Sequence, residues 1–395
     1  MPDGENIDGE NNTEVRAAIS VVRSIHEIDP ADWDACAGAA NPFLSHAFLS
    51  ALEDSGSVKA ETGWLPQHLV YADEDDRIAG IVPLYLKGHS QGEYVFDWGW
   101  ADAYERAGGE YYPKLLSAVP FTPVSGPRLL CHPDVNAEEV GNILIGGLIE
   151  ITKRFEVSSL HVNFLPEAQW NTLGDAGFLK RVGLQYHWHN DGYENFGEFL
   201  DALSSRKRKA IRKERKAAAE AGLTIRRLTG ANIEPRHWDA FYRFYTDTSD
   251  RKWGSAYLTR SFFDLLGERM SDRVLLVIAE IDGTPVAGAL NLIGDDTLYG
   301  RNWGCSADFK FLHFELCYYQ AIDFAIERGL KWVEAGAQGQ HKIQRGYMPR
   351  YTRSCHLILS RSFSDAVADF LTRETEQMTY EKEALENQSP FRSEG

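Results

Sequence analysis

The residues best suited to acid–base chemistry lie near the end of the chain, in the segment EAGAQGQHKIQRGYMP (334–349). Glu334 ends an apolar run typical of a buried strand, and His341, Lys342 and Arg345 follow it closely. The intervening glycines allow a sharp turn and a close approach of the backbone to a ligand. A carboxylate or imidazole here suits deprotonation of an amine, and the two cations suit a phosphate, a carboxylate or an oxyanion. The segment is predicted to form one wall of an active site, with a surface turn as the alternative.

A second group of candidates lies in the run FLHFELCYYQAIDFAI, which is apolar on nearly every face and predicts a buried helix. Glu315 in this run needs a partner, because a lone buried carboxylate is costly. Arg301 is one expected partner, which would make Glu315 structural. A catalytic base, or a group that recognises the substrate amine, is the alternative reading of Glu315. His313 is expected to be the orienting partner and not the base, and it is a substrate-binding candidate.

The first half of the chain contains KGHSQGEYVFDWGW, which interleaves acids, a lysine and aromatic rings. This mixture indicates either a cleft for a polar acceptor or an apolar strand with ordinary charged edges. The candidate substrate-binding residues are Lys87, Glu93, Asp97 and Trp98. His187 and His189 share one face of a predicted strand, but no set of carboxylates or cysteines accompanies them, so no metal site is predicted.

Between the two halves lies a strongly basic run, SSRKRKAIRKERKAAAEAG (204–222). Helix-forming residues dominate it and Gly222 is suited to end a helix. The cations form either a solvated helix face or an anion site. In the second case Arg206 and Lys207 would bind a phosphate-bearing substrate or an RNA acceptor stem.

The composition limits the classes of partner. A chain of 395 residues with 43% hydrophobic content has room for two domains, and its net charge of −17 disfavours general attraction to nucleic acid or anionic membranes. The five cysteines are far apart and form no CxxC pair, which suits a reducing compartment. No apolar run is long enough to span a bilayer. We therefore expect a cytoplasmic protein without membrane insertion.

A weak internal repeat indicates the architecture. QHLVYADEDDRIAGIVPLYLK and RVLLVIAEIDGTPVAGALNLIG each predict a strand, a tight acidic turn and a second strand, and each precedes a helix and another strand. This predicts an α+β fold of two similar lobes. The predicted boundaries are a disordered tail at 1–18, a first lobe at 19–190, a second lobe at 191–385 that includes the basic helix 204–222, and a polar tail at 386–395.

Motifs along most of the chain resemble the FemAB-like acyltransferases, a family of the GNAT (Gcn5-related N-acetyltransferase) superfamily. The resemblance rests on NPFLSHAFLSALEDSG, GWLPQHLVY, PLYLKGHSQGEYVFDWGWADAY, YYPKLLSAVPFTPVSGPRLL, LYGRNWG, HFELCYYQAI and GAQGQHKIQRGYMP. It implies two tandem GNAT-like lobes and transfer of an aminoacyl group from aminoacyl-tRNA to the amine of a cell-wall precursor. It also implies substrate-binding roles for Tyr299, Arg301 and Trp303 in LYGRNWG.

One departure from the superfamily bears on the acyl donor. GNAT enzymes hold the pyrophosphate of acyl-CoA on an R/Q-x-x-G-x-G/A loop at a helix N-terminus, and WGCSADFKFLHFE has no such glycine pair. This favours aminoacyl-tRNA as the donor, with acyl-CoA as the alternative and no tightly bound cofactor.

The sequence thus predicts N-acyl transfer to a polar amine-bearing acceptor, with Glu315, Glu334 and His341 as catalytic candidates and Lys342 and Arg345 as substrate-binding ones. An acyl-CoA-dependent N-acetyltransferase with an atypical pyrophosphate site is one alternative. A non-catalytic module that recognises a muropeptide or RNA is the other. The oligomeric state is left open.

Overall fold

The computed structural model describes residues 17–253, 256–336 and 339–392, without the side chains of 250–253. Most of the predicted N-terminal tail (1–16) and the last three residues of the predicted C-terminal tail lie outside the described residues. Two residues of the glycine-rich segment, Ala337 and Gln338, also lie outside them. Ala18, the last residue of the predicted tail, begins a strand.

The first half of the chain alternates short strands with helices. Its elements are β1 (Ala18–Val22), α1 (Pro30–Ala37), α2 (His46–Asp54), β2 (Trp64–Pro66), β3 (His68–Ala72), β4 (Ile78–Val82), β5 (Tyr85–Lys87), α3 (Trp98–Arg106), β6 (Lys114–Ser117), β7 (Leu130–Cys131), α4 (Ala137–Arg154), β8 (Ser159–Asn163), α5 (Glu167–Asp175) and β9 (Leu179–His189). Side-chain caps fix several helix starts. For example, Asn136 accepts hydrogen bonds from the N–H groups of Glu138 and Glu139 at the start of α4.

The second half begins with two short helices. Its elements are α6 (Phe196–Ala202), α7 (Ser205–Ala219), β10 (Thr224–Leu228), α8 (Pro235–Trp253), α9 (Arg260–Met270), β11 (Val274–Ile281), β12 (Thr284–Ile293), β13 (Thr297–Cys305), α10 (Leu312–Phe314), α11 (Gln320–Glu327), β14 (Trp332–Glu334), β15 (Met348–Ile358) and α12 (Arg361–Glu386). A π-helical turn (Glu315–Tyr319) joins α10 to α11, and a 3-10 turn (Gln340–Arg345) lies between β14 and β15.

One large sheet runs through both halves. Within the described residues its strand order is β10-β11-β12-β13-β14-β9-β15-β8-β6-β5-β2, and β1-β3-β4-β7 form a separate small sheet. β9 of the first half pairs with β14, and β15 of the second half pairs with both β9 and β8. Each half therefore contributes a strand to the centre of the sheet, where the two halves meet.

The halves also share a hydrophobic core. Helix α2 packs against α9, with the rings of Phe48 and Phe262 at 5.7 Å, and Phe43 meets Tyr299 of β13 edge to face at 5.2 Å. Both helices belong to the same buried cluster as the strands β11 and β12. This packing buries Tyr299 on the face of β13 that turns toward the first half.

The predicted α+β class is confirmed, and both predicted hairpins are present as β3–β4 and β11–β12. The domain boundary at 190 stays a prediction. β9, just before it, pairs with β15 of the second half, so the two halves share one sheet. The basic run forms α7 as expected. Phe391 of the predicted C-terminal tail forms a β-bridge with Leu203.

Gly304 tests the packing of β13 against α8. A Cβ atom at this glycine would lie 2.2 Å from the carbonyl oxygen of Phe244, a backbone atom that cannot rotate away. We expect Gly304→Ala to lower the free energy of unfolding by about 1–3 kcal/mol, as overpacking does. Gly146→Ala in α4 is the control, because a Cβ there meets nothing within 4 Å. Alanine favours a helix more than glycine does, so this variant should have a free energy of unfolding about 0.5–1 kcal/mol higher than that of the native protein. Urea unfolding measures both, and a Gly304→Ala variant as stable as the native protein would contradict the packing.

Candidate active site

The candidate site lies where two parallel strands separate. β13 and β14 pair through Tyr299 and Glu334, where β14 ends, while β13 continues alongside β12 as far as Cys305. The gap beyond this pair is bordered by the backbone after Tyr299 on one side and by Ala335 on the other. An opening between parallel strands at their carboxyl ends leaves backbone groups free to meet a ligand.

Glu334 and Arg301 form a buried ion pair at this gap. Their side chains are 9% and 7% exposed, and Arg301 Nη2 lies 3.4 Å from Glu334 Oε2. Burial raises the pKa of Glu334 to about 7, and the nearby guanidinium of Arg301 offsets only part of that rise. Burial likewise lowers the pKa of Arg301. The guanidinium also lies over the ring of Phe43, 4.7 Å from its centroid.

His187 approaches the same carboxylate from β9. Its Nε2 lies 3.9 Å from Glu334 Oε1 and 3.2 Å from Gln185 Oε1. The Gln185 amide donates to the carbonyl of Pro123, so its oxygen faces His187 and accepts from the imidazole. Burial and the cations Arg350, Arg301 and Lys342 lower the pKa of His187 to about 3. His187 is therefore neutral at physiological pH.

Two cavities adjoin the strand gap. The first, about 110 Å³, lies between the two halves. Its walls include Phe43, Phe48, Tyr94, Phe121, Thr122 and Pro123 of the first half and Leu258 and Phe262 of the second. The other cavity, about 70 Å³, is bordered by Trp303, His313, Cys317, Tyr318 and Ala335. Leu290, Gly300, Arg301 and Asn302 line both cavities. Arg301 thus lies at the junction of the two cavities, and Glu334, which lines neither of them, contacts it.

Glu315 lies outside this junction. It is buried in the π-helical turn, where Arg215 of α7 donates to both of its carboxylate oxygens at 3.1 and 3.2 Å. Gln320 also donates to it at 2.7 Å. The expected pairing of Glu315 with Arg301 is wrong, because the buried guanidinium of Arg301 faces Glu334 on the neighbouring strand.

The cations of the glycine-rich segment are engaged with the protein itself. Lys342 Nζ donates to the carbonyls of Ala335 and Gly336 at 2.6 and 3.0 Å, and burial lowers its pKa to about 8. Arg345 pairs with Glu214 of α7 at 2.9 Å. These contacts fix the backbone that follows Glu334.

His341 lies at the surface of the same 3-10 turn, within hydrogen-bonding distance of the Tyr318 hydroxyl (3.0 Å). Its ring centroid lies 6.2 Å from that of His313, which in turn contacts Trp303. Gly339, with φ of +114°, leaves room for this imidazole, since a Cβ there would lie 2.6 Å from His341 Cε1.

The first-half candidates form a closed cluster away from the strand gap. Lys114, which the sequence did not single out, donates to Glu93 Oε2 at 2.8 Å and to Asp97 Oδ2 at 2.5 Å, and all three are buried. Lys87 lies 3.8 Å from the other oxygen of Glu93. Trp98, in contrast, is 52% exposed.

Helix α7 presents two different faces. Its inner face carries Ile211, Glu214 and Arg215 against the π-helical turn. The cations of the outer face make no ion pair within the described residues; these are Arg206, Lys209, Arg212 and Lys213. Lys207 lies four residues before the buried Ile211 and therefore on the inner side of the helix. Burial and the neighbouring charges of Arg206 and Arg345 lower the pKa of Lys207, so this end of α7 lies beside the turn that follows Glu334.

The profile of the FemAB-like family, described as peptidoglycan biosynthesis/recognition, matches residues 24–393. The chain belongs to this family. No curated protein sequence matches it significantly. The structure of FemX is similar over 86% of this chain and 98% of that one, with 13% identity and a TM-score of 0.53.

Two further structures show the same fold. One is the C-terminal domain of a putative lysylphosphatidylglycerol synthetase from Agrobacterium fabrum, with 10% identity, a TM-score of 0.53, and coverage of 89% of this chain and 97% of that one. The other is a conserved protein of unknown function from Bacteroides thetaiotaomicron, with 12% identity, a TM-score of 0.50, and coverage of 86% and 99%. These likenesses show that the chain shares one fold with all three structures over nearly the whole length of each.

Two classes of feature are not found in the described part of the chain. No three or more His, Cys, Asp or Glu residues there are grouped so that they could hold a metal ion. None of the described helices is long and apolar enough to cross a membrane.

Several residues of the site were not apparent from the sequence. Asn302 and Tyr94 line the cavities, and His187 stood out only as a metal candidate. Glu214 and Arg215 were hidden in the basic run, although a signal was present. Ile211 and Ala218 are seven residues apart in that run, so the residues between them at helical spacing share the buried face.

The raised pKa of Glu334 can be tested through stability. Between about pH 4.5 and 7 the unfolded chain releases this proton while the folded protein keeps it, so folding loses stability as the pH rises. Gln cannot titrate. The free energy of unfolding of Glu334→Gln, relative to that of the native protein, should therefore rise by about 2–3 kcal/mol from pH 5 to pH 8. Urea unfolding at both pH values measures this difference.

Glu53→Gln is the matched control. Burial raises the pKa of Glu53, but hydrogen bonds from His68, Ser24 and the N–H of Ile25 outweigh it, and the pKa lies below its usual value. Glu53 is thus ionised in both states from pH 5 to pH 8, and the stability difference of this variant should stay constant. A constant difference for Glu334→Gln as well would show that Glu334 has an ordinary pKa.

Proposed function

We propose that this protein transfers an acyl or aminoacyl group to the amine of a polar acceptor, such as a cell-wall precursor. The observation that carries the proposal is the ion pair at the strand gap, because Glu334 is a buried carboxylate with a pKa of about 7 and its partner Arg301 lines both cavities. A general base is most effective when its pKa is near the working pH. In this assignment the acceptor amine enters through the cavity between the halves, and the activated acyl group lies in the other cavity.

The reaction needs one proton acceptor and one group that stabilises an oxyanion. The neutral amine attacks the acyl carbonyl carbon, and Glu334 takes the proton that the nitrogen loses. Arg301, whose Nε has no hydrogen-bond partner among the described residues, lines both cavities and stabilises the oxyanion of the tetrahedral intermediate. The bond to the leaving oxygen or sulfur then breaks as the amide forms, and the leaving group takes the proton that Glu334 had accepted, which restores the carboxylate.

The roles of the other predicted residues follow from their contacts. Glu315 is held by Arg215 and Gln320, so in this proposal it anchors α7. Lys342 and Arg345 position the backbone beside Glu334. His341 and His313 border the donor side together with Trp303. The rings of Phe43 and Tyr299 pack against each other and against the guanidinium of Arg301.

The outer face of α7 supports an RNA-linked donor. Four exposed cations, which form no ion pair with the described residues, would bind phosphates and release counterions. They lie on a helix whose inner face contacts the π-helical turn that borders the donor cavity. Aminoacyl-tRNA is therefore our proposed donor, which would place the reaction in the cytoplasm. Acyl-CoA is the alternative donor, and a non-catalytic recognition module is the alternative function.

Replacing Glu334 tests the mechanism. With alanyl-tRNA and a lysine-containing muropeptide as probes, native kcat should rise with pH through about 7 and level off above it, as Glu334 ionises. Glu334→Gln should lower kcat by about 10²–10⁴-fold and remove this rise, because the variant lacks the base. Glu315→Gln is the matched comparison and should keep the pH dependence. Full activity of Glu334→Gln would contradict the assignment, and native turnover only with acetyl-CoA would favour the alternative donor.

Charge reversal on α7 tests the donor. Arg212→Glu/Lys213→Glu should weaken tRNA binding at least about tenfold and reduce its salt dependence, because phosphate contacts release counterions. Lys153→Glu/Arg154→Glu, an exposed pair at the end of α4, makes the same change of charge on the other lobe and should leave binding unchanged. Filter binding at several salt concentrations measures both. If both double variants weaken tRNA binding equally, the loss comes from the change in net charge, and α7 is not the tRNA-binding surface.

A further inference from the structure

His187 of β9 is a close neighbour of Glu334 to which the reaction above assigns no role. The two residues pair across β9 and β14, and Glu334 pairs in turn with Tyr299 of β13. Side chains directly opposite one another on neighbouring strands project to the same face of a sheet and come close together. The distance from His187 Nε2 to Glu334 Oε1 is 3.9 Å. This is too long for a hydrogen bond, but a positive charge on the imidazole would act strongly on the carboxylate at that distance.

Gln185 holds the imidazole of His187 in place. It lies two residues earlier on β9, on the same face of the strand, and is 2% exposed. Its amide nitrogen donates to the carbonyl of Pro123 at 2.8 Å, and its amide oxygen lies 3.2 Å from His187 Nε2. An amide oxygen only accepts, so this contact requires the proton of His187 to lie on Nε2. The carbonyl of Pro123 thus determines the tautomer of His187 through the amide of Gln185.

The surroundings of His187 oppose its protonation. The charged groups that face it come from four elements: Arg350 of β15, Arg301 of β13, Lys342 of the 3-10 turn and Glu334 of β14. Burial and the three cations lower the pKa of His187 to about 3. Histidines that become cationic during catalysis are commonly held by a carboxylate. Gln185 has the shape of such a residue without its charge, so it orients the imidazole and does not stabilise the imidazolium.

The neutral state of His187 matters for the carboxylate opposite. Glu334 is faced by Arg301 and Tyr299 of β13, by Asp296 just before β13, and by His187. Burial raises the pKa of Glu334 to about 7, Arg301 offsets part of that rise, and Asp296 adds to it. A cation at the position of His187 as well would lower this pKa, because an opposite charge favours the ionised carboxylate. Glu334 would then be a weaker base.

We propose that Gln185 and His187 are positioning residues of the transfer reaction: the Gln185 amide fixes the proton of His187 on Nε2, and the imidazole then faces Glu334 as a neutral group and not as a second cation. The proposal rests on the function proposed above and adds two residues to its site. Neither residue touches the reacting atoms in this assignment, since both act through Glu334.

The substitution Gln185→Glu tests the pair. It keeps the shape of the side chain and places a carboxylate beside His187 Nε2, which favours the imidazolium. The titration of Glu334 is followed by NMR in protein labelled with ¹³C at the glutamate carboxyl, and its signal is identified by its loss in Glu334→Gln. The native signal should titrate near pH 7, and in Gln185→Glu the midpoint should fall by about 1 or more. The midpoint of the kcat profile should fall with it.

Gln67→Glu is the matched control. Gln67 is buried to a similar degree, at 5% exposed, and lies in the first half between β2 and β3. This variant makes the same change of charge away from the strand gap and should leave the titration of Glu334 at its native midpoint. An equal fall in both variants would assign the effect to net charge and overturn the proposal.

A second measurement needs no substitution at Gln185. In native protein labelled with ¹⁵N-histidine, the chemical shifts of the ring nitrogens report tautomer and charge, and comparison with His187→Asn identifies the signals of His187. We expect a neutral imidazole with its proton on Nε2 from pH 8 down to pH 5. A proton on Nδ1, or an imidazolium within this range, would overturn the proposal even if Gln185→Glu did not fold.

Both NMR measurements are independent of turnover. A native midpoint for Glu334 in the folded Gln185→Glu protein would show that Gln185 and His187 do not control this carboxylate, whether or not the protein transfers acyl groups. If instead both titrations behave as expected and the native protein transfers nothing from alanyl-tRNA or acetyl-CoA, the function proposed above fails while the control of Glu334 by these contacts is supported.

Discussion

The arrangement of the site depends on two opposite charges buried together at the gap between β13 and β14. Arg301 and Glu334 make a single contact of 3.4 Å, which is too long to compensate fully for the loss of hydration. The pKa values of both groups accordingly move toward the neutral forms. The same incomplete compensation keeps the carboxylate able to accept a proton near neutral pH. A tighter, bidentate pair would stabilise the fold further and lower that pKa.

This ion pair requires both halves of the chain. The ring of Phe43 from the first half covers the guanidinium, and β9 brings His187 and Gln185 to the carboxylate. The exchange of β9 and β15 fixes the halves relative to one another, because a shift of one residue would turn every side chain to the opposite face. Neither half alone would exclude water from Arg301, and the tandem arrangement is thus part of the chemistry.

Buried charges also shape the surroundings of the site. Lys114 with Glu93 and Asp97 fixes the loop around Tyr94, and Arg215 with Glu315 fixes α7 against the π-helical turn. In both cases a cation on one element holds carboxylates on another, and breaking such a pair leaves an uncompensated buried charge. The charged residues that the sequence presents as candidate ligands therefore divide into two groups, one at the strand gap and one that holds the walls around it.

The fold class, the two hairpins, the helix in the basic run and the family could all be predicted from the sequence, because they follow from local patterns of apolar residues, turns and motifs. The sequence also placed Glu334 at a strand end beside a glycine-rich turn. The partners of the buried charges became clear only in the folded chain: Arg301 pairs with Glu334 and not with Glu315, Arg215 pairs with Glu315, and Lys114 pairs with Glu93 and Asp97. Periodicity shows which face of an element is buried. Which charge lies opposite depends on strand order and on the packing of distant segments, and no local pattern in this chain records either of them.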